Sequence, residues 1–284
     1  MWHALTVGRT VWNLMGERRL GMLAAGVGFF AMLAIFPAMA ALIGLIALLA
    51  DPAMVEESLA MASDFLPEDA FALIEEQTEE LLGSADRTLG LTSVISLLAA
   101  VWAARLGVDA LIQGVNAIYG GDPRNGIWGL LMALTLTAIL IAVGATAMFA
   151  MLIAPITLAL LTPFIPVGSW FPLIVELLRW VISIAVLVVG LSVFYRYAPN
   201  RPETRRSPFL SPGLLLALIL WAAASVGFTL YLSHFGDYNE IYGSIGAVIV
   251  LMLWLYISAY AVLLGAALNF ALEERAEPMT GPDQ

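Results

Sequence analysis

Six stretches of this chain are predominantly apolar over twenty residues or more, and that feature leaves few folds open to it. A helix needs about 20 such residues to cross about 30 Å of hydrocarbon. The stretches run from Leu20 to Ala50, Leu89 to Ile118, Ile127 to Leu161, Phe171 to Tyr195, Pro212 to Leu232 and Tyr242 to Leu272. Several exceed the minimum, which allows tilt. Composition agrees: 61% of the 284 residues are apolar and 12% charged, against under half and about a quarter in an ordinary soluble domain. The expected fold is all-α, a single polytopic membrane bundle of six spans. Residues 1–19, with Trp2, Leu5, Val11, Trp12, Leu14 and Met15, read as an interfacial amphipathic helix. Ala38-Met39-Ala40 resembles a signal-cleavage triplet, but the apolar run continues through Ala50, which suits an uncleaved span better.

Orientation follows from the basic residues, all twelve of which are Arg. Positive residues are retained on the cytoplasmic side. With both termini inside, Arg9, Arg18, Arg19, Arg124, Arg196, Arg201, Arg205, Arg206 and Arg275 fall inside and Arg87 alone falls outside, leaving Arg105 and Arg179 within spans. The segment 51–88 then becomes an outer insertion with eleven acids. Its apolar residues Val55, Leu59 and Phe65, then Phe71, Ile74 and Leu81 with Thr78, recur at helical spacing after the break at Pro67 and predict two short amphipathic helices. Its acidity fits a solvated face, and also a cation-binding or partner surface. Residues 273–284 read as a disordered cytoplasmic tail.

Charges inside a span are expensive and call for a partner or a water-filled cavity. In the second span Trp102, Arg105, Asp109, Gln113 and Asn116 follow at intervals of 3, 4, 4 and 3 residues. At about 100° per residue they share one sector about 80° wide, a polar seam on an otherwise apolar helix. Arg105 and Asp109 are four apart and can neutralise each other. Alternatively Arg105 offers a planar fork to a phosphate or carboxylate in a lined passage. In the fourth span Glu176, Arg179 and Ser183 repeat the arrangement nearer the outer side. Pro37 and Pro155 interrupt spans and favour kinks. The loop 233–244, with Tyr238 and Tyr242, reads as an ordered polar cap or as interfacial anchors, and its His234 lies near Asp237 and Glu240.

Chemistry of other kinds finds little footing. There is no Cys, only His3 and His234 as imidazoles, and no GxxxxGK[ST], HExxH or GxSxG signature. The net charge of -10 disfavours nucleic acid. The expectation is a protein that is not an enzyme and carries no cofactor and no metal.

With these residues in place, the chain resembles the YihY/BrkB family of bacterial inner-membrane proteins, once labelled ribonuclease BN-like. The resemblance is carried by GVGFFAMLAIFP, VWAARLGVDALIQGVNAIYG, YRYAPNR and LYLSHFGDYNEIYGSIGAVIVLMLWLYISAYAVLLGAALN, roughly from Trp12 to Leu272. It matches at Trp102, Arg105, Asn116, Tyr119, Pro199, Asn200, Arg201, Phe235, Gly236, Tyr238, Tyr242, Gly243, Gly246, Trp254, Tyr256 and Asn269. It departs at Ala267, where the family commonly carries Glu, and at Ala103-Ala104. The resemblance implies a six-span bundle, with lipid or solute export and envelope maintenance among the proposed activities.

The leading expectation is a plasma-membrane protein that binds or moves an anionic or amphipathic molecule, a lipid or small solute, past Arg105, Asp109, Gln113 and Asn116. Glu176 and Arg179 would gate the outer side beneath a cap holding Tyr238 and Tyr242. The rival is a scaffold that docks envelope partners without transport. Membrane lipids are expected partners, and the sequence leaves homo-oligomerisation open.

Overall fold

The computed structural model describes residues 2–49, 87–122, 124–161, 170–202, 204, 206–233 and 239–276. Seven helices are described: α1 (Trp2–Glu17), α2 (Leu20–Leu49), α3 (Arg87–Tyr119), α4 (Gly126–Leu161), α5 (Phe171–Tyr197), α6 (Pro212–Ser233) and α7 (Asn239–Ala276). All but α1 are long and apolar enough to cross a membrane. Among the described residues there is no strand. Their ends fall within a few residues of the expected spans because charge, Pro and Gly bound each apolar run. The acidic insertion lies outside the described residues, apart from the first two residues of α3.

Two ends differ from expectation. The cap expected over 233–244 is already helical from Asn239, while His234 to Tyr238 lie outside the described residues. At the other end of α7 the expected tail is helical through Ala276. There Glu273 holds Arg201 and Ser207, and Arg275 donates to the Thr6 hydroxyl of α1, so side-chain bonds fix the last turn. Pro37 lies inside α2 and Pro155 inside α4, and neither ends its helix.

The chain forms two compact units, one of residues 1–29 with 105–284 and one of residues 30–104. In the larger unit the most extensive helix pairs are α6 with α7 and α4 with α5, and α1 docks on α7. Gly213 and Gly265 bring α6 and α7 together, because a Cβ on either would collide with the other's carbonyl oxygen. Tyr195, fully buried, donates its hydroxyl to the Val262 carbonyl at 2.7 Å and ties α5 to α7. Leu14 of α1, Leu20 and Ala24 of α2, Ile112, Val115 and Ile118 of α3, Phe194 of α5 and Leu263 and Ala266 of α7 form the core.

Outward faces are as apolar as the core. Ile127, Trp128, Leu173, Leu177, Leu215, Ile219 and Val226 are exposed in the larger unit, as are Leu91, Ile95 and Leu98 in the smaller. Continuous patches of that kind are untenable in water. In a bilayer they are the lipid face, which offers no hydrogen bonds to a polar group.

Candidate functional site

The second-span seam is carried by α3, whose other faces bury Val108, Ile112, Val115 and Ile118 against the core. Rising about 1.5 Å per residue, the helix sets Arg105 about 21 Å from its Tyr119 end and about 12 Å beyond Gln113. Among the described residues no ion pair is seen between Arg105 and Asp109. Asp109 instead accepts a hydrogen bond of 2.9 Å from Gln113 Nε2, four residues on, and that bond is exposed. The self-neutralised pair allowed by the spacing is therefore not the arrangement. Arg105 and Asp109 are half-buried and Gln113 is exposed.

Asn116 leaves the seam. It is 2% exposed, its Nδ2 donates to the Ile112 carbonyl at 2.9 Å, and its Oδ1 accepts the Asn200 backbone N–H at 2.7 Å. Nδ2 thus bonds back onto α3 itself, and Oδ1 fastens α3 to the segment after α5. Trp102, also on α3, is exposed.

Glu176 and Arg179 pair within α5 at 2.9 Å, with Glu176 the more exposed partner. Ser183 on the same face is buried and donates weakly, at 3.4 Å, to the Ala147 carbonyl of α4. Among the described residues no hydrogen bond or ion pair joins this patch to Asp109 or Gln113. Tyr238 lies outside the described residues. Tyr242 falls in the second turn of α7, with its side chain outside the description.

The densest polar construction is elsewhere, at the Arg-rich end where α3, α5 and α7 finish and α6 begins. Glu273 accepts from Arg201 Nη1 at 2.5 Å and from Ser207 Oγ at 2.9 Å. The Tyr119 hydroxyl stands 3.3 Å from the same Ser207 oxygen. Because Ser207 gives its proton to Glu273, Tyr119 is the donor in that contact. Arg201 lies over the Tyr119 ring at 4.3 Å, and Tyr119 meets Phe270 edge-on. Arg124 forks the carbonyls of Ala198 and Pro199 at 3.0 Å each. Burial, and after it the charge of Arg206, lowers the Arg124 guanidinium below its usual value. Arg196 donates to the Ser207 carbonyl at 3.2 Å and lies over Phe209.

Of this cluster the sequence marked Asn116, Tyr119, Pro199, Asn200, Arg201 and Asn269 as matching residues without saying what they touch. It missed Arg124, Ser207, Ser211 and Glu273. The available signal was the acid Glu273, just past the last span at an end rich in Arg. Ala267, where the resemblance expects Glu, is fully buried in the core. Packing replaces charge at that position. Among the described residues no three His, Asp or Glu side chains converge as a metal site would need.

A fold of six candidate spans, in which the segment after α5 is bonded to α3 through Asn116 and to α7 through Glu273, sets the comparison with known proteins. The virulence factor BrkB family matches over residues 11–284. The chain belongs to the BrkB family. It is 31% identical over 254 residues to the ribonuclease-like protein YfkH of Bacillus subtilis (strain 168), covering 88% of this chain and 89% of that protein. It is 27% identical over 269 residues to a UPF0761 membrane protein of Xanthomonas axonopodis pv. citri (strain 306), covering 94% of this chain and 61% of the relative. A UPF0761 membrane protein of Xanthomonas campestris pv. campestris (strain B100) is also 27% identical, over 264 residues and 59% of its length. The chain thus spans about three fifths of these Xanthomonas relatives. No solved structure matches. The Xanthomonas relatives are named membrane proteins, and the six long apolar helices of this chain agree with an integral membrane protein of that family.

Proposed function

We propose that this BrkB-family chain resides in the bacterial inner membrane and binds and moves an anionic or amphipathic molecule along the α3 seam. Arg105 meets the anionic group with its planar fork. Asp109 and Gln113 orient it, since Asn116 is committed to Asn200. The Glu176–Arg179 pair gates the opposite, outer side. Both termini face the cytoplasm, because eight Arg of the described residues lie at the α1 and clamp end. No catalytic step is assigned.

The observation that carries this reading is the exposed Asp109–Gln113 hydrogen bond, set within a membrane span. Polar and charged side chains there face a cavity, water or protein. A static brace would be expected to seal them, as Asn116 is sealed. The chain carries no ATP-binding signature, so movement is passive, gradient-coupled or driven by another subunit. The ribonuclease-like name of the Bacillus relative is not carried over. Hydrolysis of nucleic acid wants a metal-binding acid cluster beside a basic surface, whereas the acids of this sequence concentrate between Asp51 and Asp86.

The test is reconstitution into liposomes with a panel of labelled lipids and small anions, comparing wild type, Arg105→Ala and Arg105→Lys. Loss of a charge-assisted hydrogen-bonded contact costs about 1.5–3 kcal/mol, so Arg105→Ala is expected to weaken uptake roughly ten- to a hundredfold. Lys is expected to restore only part. Movement of no compound by wild type, or equal movement by wild type and Arg105→Ala, would leave an anchored scaffold as the function.

A further inference from the structure

A second feature lies away from the seam, where α1 runs along the α6–α7 pair. It is a groove of about 690 Å³ lined by Trp12 and Met15 of α1, Leu216 of α6 and Leu268, Leu272 and Arg275 of α7. Its size falls among those of small-molecule sites, roughly 300–1,000 Å³. Among the described residues the lining apart from Arg275 is apolar and holds no carboxylate. Arg275 is two turns beyond Leu268, so the apolar wall extends about 10 Å along α7 from the guanidinium. The Thr6 hydroxyl of α1 is bonded to Arg275 and offers a second polar group at that end. Trp12 is 73% exposed, although α1 is anchored to the core through Leu14.

We propose that this groove holds one acyl chain of an anionic glycerophospholipid, with the phosphate against Arg275 and Thr6. The long apolar wall suits a hydrocarbon chain, and the guanidinium at its end, with its several N–H donors, suits an anion covalently attached to that chain. A guanidinium meets a phosphate with two parallel hydrogen bonds. Trp at such a position presents an apolar ring to the chain and an N–H to the headgroup level. The site uses α1, α6 and α7 and stands whether or not the α3 seam transports anything.

The experiment reads quenching of Trp12 in the full chain, placed in phosphatidylcholine bilayers containing a minor fraction of a lipid brominated on its acyl chain. The chain has eight Trp, so the Trp12 signal is the difference between wild type and Trp12→Phe. Brominated phosphatidylglycerol is expected to quench Trp12 about fivefold more effectively than brominated phosphatidylcholine, the preference one Arg near an anionic headgroup supplies. Arg275→Ala should abolish that preference and Arg275→Lys should keep part of it. Gly8→Leu should abolish quenching by both lipids, because Gly8 lines the groove and a Cβ there meets nothing within 4 Å. That variant also favours the α1 helix, so loss of quenching would not reflect unfolding. Excess inorganic phosphate should leave quenching unchanged, since the chain supplies most of the contact. Equal quenching by the two lipids in wild type, quenching that survives Gly8→Leu, or displacement by inorganic phosphate would each overturn the proposal.

Discussion

Replacing Asn269 by Leu should destabilise the bundle by about 2–3 kcal/mol, and the figure follows from the start of α6. Pro212 opens that helix and has no N–H to satisfy. The next two donors are buried: Gly213 N–H is accepted by Asn269 Oδ1 at 2.8 Å, and Leu214 N–H by Ser211 Oγ at 3.2 Å. Asn269 Nδ2 also donates to Ser211 Oγ at 2.9 Å and so aims the capping hydroxyl. Asn269 is 3% exposed, and neither lipid nor water replaces what it provides. Leu would leave Gly213 N–H without an acceptor, a penalty of about 1–3 kcal/mol. It would also remove an interhelical side-chain bond, which averages about 0.6 kcal/mol in membrane proteins. Ser211→Ala alone should cost about 1 kcal/mol, as for other N-caps. Reversible unfolding in mixed micelles of wild type, both single variants and the double variant closes a cycle, and the coupling should be about 0.6 kcal/mol or more. An Asn269→Leu variant within about 0.5 kcal/mol of wild type, with no coupling to Ser211, would refute the assignment of Asn269 as the partner that α6 requires.

Glu273→Gln should lower stability by about 1–2 kcal/mol, because the carboxylate takes charge-assisted bonds from Arg201 and Ser207 while both charged side chains keep some solvent contact. Thermal unfolding at low and high salt checks it, and an unchanged midpoint at low salt would mean that the clamp carries no stability. Arg19 joins α1 to α2 with φ 50, a left-handed conformation that costs an L-residue about 1–2 kcal/mol. Arg19→Gly is therefore expected to raise the unfolding midpoint and Arg19→Val to lower it. The reverse order would show that the Arg19 charge matters more than its backbone.

The six long apolar helices and the helix before them were legible in the sequence because membrane solvation acts locally. A run of apolar residues decides whether a segment leaves water whatever its neighbours are, and 3.6-residue periodicity then places polar residues on one side of it. For that reason Arg105, Asp109, Gln113 and Asn116 could be read as a seam before any partner was known. Their division into an exposed Asp109–Gln113 pair and a sealed Asn116 could not be read so. Asn116 is settled by Asn200, 84 residues away, and spacing along one helix carries no information about a contact of that range. The same limit hid Glu273, which reads as the start of a polar tail until Arg201 and Ser207 are brought beside it.

What the sequence alone determined is thus the solvent of each segment: which helices lie in hydrocarbon, which charges would be out of place there, and which end gathers the Arg. Only the tertiary structure decided which polar groups are consumed in holding helices together and which stay exposed. The physical reason is that a hydrogen bond has one partner at about 3 Å, and that partner is chosen by how the helices pack.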